Sequence, residues 1–176
     1  DRHPDLAIAV ARHFVAFRDA VVRHWIFKIA KENALFAIAT ALPNAAPFLA
    51  LPWAVGEFAS DTAILTLNQI RLAFLIAAAS DSPVGYLEQK GQIASLVTSA
   101  FGWRALAREL VSKIPLGGGV TPKAAVAFAG TYVAGLGLDR FQRVGRGLTA
   151  RENREIYTRA LERGRQVVHE ILGRWR

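Results

Sequence analysis

The 176-residue chain has no cysteine and no methionine. Without cysteine there can be neither disulfides nor thiolate metal sites, in keeping with a reducing compartment. Without methionine, and with Asp1 at the start, a processed chain or part of a longer one is expected. Charges at Arg2, Asp5 and Arg12 interrupt the beginning too often for a signal peptide. Runs of four to eight alternating residues with strand-type turns are missing. No repeat recurs at periods of 20 to 50 residues.

What is present is apolar and basic. Hydrophobic residues make up 52% and the net charge is +8, so a folded core is expected rather than disorder. The length suits one domain. Residues 139–176 carry ten basic groups, all arginine, against five acidic ones. A basic end of this kind can favour anionic lipid, nucleic acid or an acidic partner, or can simply be a solvated helix face.

Leu6, Val10, Phe14, Phe17, Val21, Trp25 and Ile29 step by three or four, which predicts one long amphipathic helix to Lys31. Ala34 to Gly56 then runs 23 residues without a charge. That is long enough to span a bilayer as a helix, but Pro43, Pro47 and Pro52 divide it. Ala34–Leu42 is expected to be helical and "PNAAPFLALP" to turn the chain. From about Ser60 to Ala79 a second long helix follows, apolar all round in its second half. "SDSPVG" breaks it, with Ser82 a possible cap and Pro83 a possible first helical residue. Shorter helices are expected over Val84–Phe101 and Trp103–Lys113, and a loop over "IPLGGGVTP". Another apolar helix runs from Lys123 to about Val144. Its Ala127, Thr131 and Gly135, four apart, would let a neighbour approach closely. The last helix opens with the capping box Thr149-x-x-Glu152 and carries Glu155–Arg159 and Glu170–Arg174 at i,i+4. The reading is an all-α domain over 1–176, with six to seven helices around a buried apolar hairpin core. Residues 1–33 form its amphipathic start, 34–144 its apolar body and 145–176 its basic C-terminal helix.

Motifs for chemistry are few. "LGGGVTPK" has the glycines of a phosphate loop, but the Gly-Lys-Ser/Thr and the preceding strand are missing, so an interhelical turn is the better reading. Glu57 and Asp61 can share a helix face, either for acid–base work or as charges favoured at a helix N-terminus. His13 and His24 share a face about 16 Å apart along a helix, too far to ligate one metal. No Gly-x-Ser-x-Gly is present. Half the tail's arginines are balanced by acids and aromatics are sparse, so nucleic acid is not expected. No cofactor and no metal are expected.

The second long helix mixes Asp61, Thr62, Thr66, Asn68, Gln69 and Arg71 with Ile64, Leu65, Leu67 and Ile70. Buried amides must find partners, which predicts side-chain hydrogen bonds to neighbouring helices. A polar contact surface for another domain is the functional alternative.

Three segments in order, "LPWAVGEFASDTAILTLNQIRLAFLIA", "LARELVSKIPLGGG" and "AAVAFAGTYVAGLGLDRF", resemble a bacterial GTPase-associated, YcjF-like helical domain family of unknown function. The matching positions are Pro52, Asp61, Leu65 and Gln69, then Pro115, Gly118 and Gly119, then Gly130, Thr131, Tyr132 and Gly135. The resemblance covers about Leu51 to Val144. It departs after the Gln69 helix, where the family often has Tyr-Gly and this chain has "ASDSPVGY". It implies a helical accessory domain without known catalysis, found beside GTPases or in inner-membrane proteins. A nucleotide-binding domain preceding Asp1 would fit that setting.

The expected function is therefore a non-enzymatic interaction domain, cytoplasmic or at the inner face of the cytoplasmic membrane. Its partner would be a protein, a GTPase-type domain or an anionic membrane surface. Asp61, Asn68, Gln69 and Thr131 would hold helices in register, with Arg71 and Tyr132 beside them. The basic stretch from Arg140 through Arg143 and Arg146 would face the partner. Two alternatives stand beside it: an integral membrane protein with hydrophobic hairpins at 34–56 and 114–138, and an enzyme with a site around Glu57 and Asp61.

Overall fold

A computed structural model describes residues 4–41, 57–94 and 120–174. The expected turn at "PNAAPFLALP", the helices expected between 95 and 113, and the triple glycine lie outside them. So do Pro52, Pro115, Gly118 and Gly119. The described chain is all-α. It comprises α1 (Pro4–His13), α2 (Val15–Ala41), α3 (Glu57–Ala79), α4 (Val120–Val144) and α5 (Ala150–Gly173), with a short helical piece at 90–94.

The first expected helix is two. The chain breaks at Phe14, although neither proline nor glycine stands there, because α1 folds over to pack on both α2 and α3. Ile8 and Ala11 are what α1 gives to the core. Arg18 reaches back to the carbonyls of Ala11 and Arg12 at 3.4 and 3.5 Å, giving the interrupted turn a donor. Arg12 in turn pairs with Asp81 at the far end of α3, at 2.7 Å.

No boundary exists at residue 33. The buried positions Val22, Trp25, Ile26, Ile29, Asn33, Ala37 and Ile38 continue one stripe through it, and α2 runs unbroken for 27 residues, about 40 Å. It is the spine of the fold, touching α1, α3, α4 and α5.

α4 begins at Val120, so the end of the expected loop is its first turn. Pro122 fits there because that N–H has no helical partner anyway. The helix is buried on most sides by α2, α3 and α5, and its small residues make this possible. A Cβ on Gly135 would stand 2.8 Å from Ile26 Cγ1 and 3.0 Å from Leu72 Cδ2. On α5, a Cβ at Gly164 would meet the Ala125 carbonyl oxygen at 2.9 Å. Three apolar clusters result: around Ile26, Leu72 and Ile76; around Ile38, Phe128 and Val168; and around Val133, Tyr157 and Ala160. Tyr132 packs against all three.

α3 ends with Asp81 at φ 58°, its N–H on the Ala78 carbonyl and the Ser82 N–H on that of Ala77. This is the left-handed stop usually given to glycine. The helix expected from Val84 does not form there. The buried Gln89 side chain instead accepts the Gly85 N–H at 3.1 Å and donates to the Pro83 carbonyl, which stabilises a turn. Ser82 caps no helix among the described residues; its hydroxyl donates to Gln142 of α4 at 2.9 Å. At the other end of the chain the Thr149–Glu152 capping box is complete. Glu155 pairs with Arg151 at 2.9 Å, one turn before it rather than after.

Among the described residues no helix is long and apolar enough to cross a membrane. The hairpin considered over 114–138 is, for its described part, one uninterrupted helix packed among three others.

Candidate functional site: a polar cluster inside the helical core

The sequence marks polar residues on two helices, and the fold brings three of them, Asn68, Gln69 and Thr131, together with Asn33 of a third helix. Asn33 of α2 donates from Nδ2 to Thr131 Oγ1 of α4 at 2.7 Å. Its Oδ1 accepts from Asn68 Nδ2 of α3 at 2.6 Å. Gln69 of α3 donates from Nε2 to the same Thr131 oxygen at 3.4 Å. Asn33, Gln69 and Thr131 are buried and Asn68 is half-buried. At the rim, Arg71 of α3 meets Glu32 of α2 at 3.2 Å.

Local sequence explains the meeting. Asn33 lies four residues after Ile29 and four before Ala37, on the buried stripe of α2. Thr131 sits between Ala127 and Gly135 on the small-residue row of α4, where α2 comes closest. Asn68 and Gln69, adjacent on α3, divide the work: one reaches α2 and the other α4.

Chemically the cluster is made of amides and a hydroxyl. None of these titrates near neutral pH, and each recorded bond joins one helix to another. Because successive side chains on a helix point about 100° apart, a slip of one residue in any one of the three helices would unmake two of the three bonds and leave buried amides unpaired. The arrangement joins α2, α3 and α4 pair by pair.

The other marked residues are dispersed. The Glu57 and Asp61 side chains lie outside the described residues, although their backbone opens α3. Tyr132 stacks on Phe128, ring centroids 5.7 Å apart and 12° between planes. Arg140 pairs with Glu152 at 2.6 Å, fastening α4 to the start of α5. Arg143 reaches Asp19 of α2 at 2.6 Å and Asp139 at 2.9 Å. Arg146 is exposed in the loop between α4 and α5. Two of the three arginines expected to face a partner thus hold helices together.

The pKa shifts have causes of the same kind. Arg143 holds the Asp19 carboxyl below the usual carboxylate range, and Asp139 and Asp19 raise the Arg143 guanidinium. Glu152 is lowered to about 2 by the Thr149 N–H, the Thr149 hydroxyl and Arg140, in that order. Burial pushes the Tyr157 phenol up to about 12. Each shift arises at a helix end, an ion pair or a core position. Among the described residues no three of His, Asp and Glu converge to hold a metal ion.

Two residues escaped the sequence reading. Asn33 carried a signal, a lone amide on an apolar stripe. Gly164 carried none, because a glycine among charged residues is as consistent with an exposed turn as with a close crossing.

These features define an all-α scaffold locked by an internal polar cluster. Comparison of the chain with models of known protein families, with curated proteins and with solved structures finds no match.

Proposed function

We propose that the chain is a non-enzymatic helical docking domain of a GTPase-type protein, acting at a membrane surface or on a partner protein. The observation that carries this reading is the inward use of its polar chemistry. Asn33, Asn68, Gln69 and Thr131 bond to one another in the core, and Arg140 and Arg143 bond across helix ends. Side chains spent this way support a rigid scaffold whose outer surface does the work. The GTPase setting draws on the resemblance, whose motif residues Gln69, Thr131 and Gly135 all stand where α2, α3 and α4 meet.

Fractionation of cells that express the full protein tests the docking reading. The protein is expected in the membrane pellet and in the supernatant after high salt or carbonate. Resistance to carbonate would mean a spanning protein, and a soluble fraction with no bound partner would end the docking reading. A Gly-x-x-x-x-Gly-Lys-Ser/Thr sequence in the same or an adjacent reading frame would support the GTPase setting. If Glu57→Ala or Asp61→Ala abolishes a measured activity, the non-enzymatic reading is wrong.

A further inference from the structure

The apolar row that opens the chain does not stay on one side of the fold. Trp25 and Ile29, late in the row, are buried in the core. Leu6 and Phe14 are each 60% exposed, Phe17 is 55% exposed, and Val10 is also exposed. Val15, beside the break, is 70% exposed. The core has not run short of apolar partners on α1, for it takes Ile8 and Ala11 from the opposite side. So α1 has two apolar faces and the fold uses one. The elbow at Phe14, with Arg18 folded back on Ala11 and Arg12, sets the other face outward.

The charge around this face is mostly positive, its acids being Asp19 and Asp81, the latter paired with Arg12 at 2.7 Å. Between residues 6 and 31 stand Arg12, Arg18, Arg23, Lys28 and Lys31, with Asp19 the only acid. Asp19 is itself held between Arg23 at 2.8 Å and Arg143 at 2.6 Å. An apolar helical face edged by cations is the composition that settles at the boundary between headgroups and acyl chains of an anionic membrane. A second copy of the chain would bring the same positive charge to the contact, which disfavours self-association there.

Resting on the docking reading, we propose that Leu6, Val10, Phe14 and Phe17 form the membrane-contacting surface and that its occupant is an anionic lipid interface. The apolar side chains enter the boundary, and the flanking arginines and lysines stay at the phosphate level.

Co-sedimentation of the full chain with phosphatidylcholine vesicles, with and without phosphatidylglycerol, tests this. Wild type is expected to bind only the vesicles that contain phosphatidylglycerol and to be released by salt. Phe14→Ser with Phe17→Ser is expected to lower that binding on the order of tenfold or more. Leu6→Ser with Val10→Ser, on the other side of the elbow, should do likewise if the first pair disturbs folding by circular dichroism. Leu67→Ser, an exposed apolar change on α3, should leave binding unchanged. If wild type binds anionic vesicles and both double variants bind equally well, the surface assignment fails while docking stands. If wild type ignores vesicles yet pellets with cell membranes, an acidic protein is the occupant and the lipid assignment fails. Failure in both assays overturns the docking reading as well.

Discussion

Asn33 and Thr131 are 98 residues apart in the chain and share a buried hydrogen bond of 2.7 Å. The bond is the shortest of those that reach Thr131, and Asn33 is also the acceptor for Asn68, so the cluster hangs on these two residues. Thr131→Val keeps the shape and removes the acceptor, stranding the Asn33 and Gln69 amides. It is expected to cost about 1–3 kcal/mol in urea unfolding. Asn33→Ala and Thr131→Val should be strongly non-additive, with a coupling of about 0.5–3 kcal/mol in a double-mutant cycle. Additive losses would mean that the bond does not hold α2 to α4.

The glycines divide by what a methyl group would strike. At Gly164 the obstacle is the backbone of Ala125, which cannot swing aside; at Gly135 it is the side chains of Ile26 and Leu72. Alanine improves helix propensity by about 1 kcal/mol, but an overpacked core costs about 1–3 kcal/mol. Gly164→Ala is therefore expected to destabilise more than Gly135→Ala. Gly137→Ala, where the nearest atom is Leu148 Cδ1 at 3.8 Å, should stabilise by up to about 1 kcal/mol. Thermal unfolding of the three variants gives the order directly.

Which parts of this fold were legible follows from the range of the interactions that make them. The Thr149–Glu152 box is local and stands as its spacing requires. The close approach at Gly135 could be anticipated from the small-residue row of α4, though not that Ile26 and Leu72 would fill it. That the amides of α3 need partners is a rule about burial; that Asn33 supplies one depends on how α2 lies across α3. The break at Phe14 had no local signal, because tertiary packing of Ile8 and Ala11 decides it. Since α1 is apolar on two faces, periodicity could not say which would be buried. At the start of the helix expected from Val84, the Gln89 side chain holds a turn instead, an interaction that propensity does not weigh, and helix begins only at residue 90.

The start of α5 should be acid-sensitive. Glu152 sits at about 2 in the folded protein, against an ordinary value of 4.5, because the Thr149 N–H, the Thr149 hydroxyl and Arg140 all favour its charged form. A carboxyl lowered by folding stabilises the fold fully above its ordinary value, and the gain disappears as pH falls towards about 2. Glu152→Gln should therefore lower the urea midpoint at pH 7, with the gap closing between pH 5 and pH 2. An equal gap at both ends would show that the carboxylate's charge is not what matters.

Trp25 offers a test of the core near α1. Its ring is buried against Ile26, Ile29 and Leu72 in one cluster, with Lys28 Nζ 4.6 Å from the ring centroid. Its indole Nε1 is buried and has no hydrogen-bond partner among the described residues. An unpaired buried donor opposes folding, so removing it offsets part of what a smaller ring loses in packing. Trp25→Phe is expected to change stability by less than about 1 kcal/mol, whereas Trp25→Ala, which empties the site, should cost about 3–5 kcal/mol. Urea unfolding of the two variants, followed by circular dichroism because the change removes a fluorophore, separates these values. A loss near that of alanine for the phenylalanine variant would mean that the indole N–H is bonded in solution.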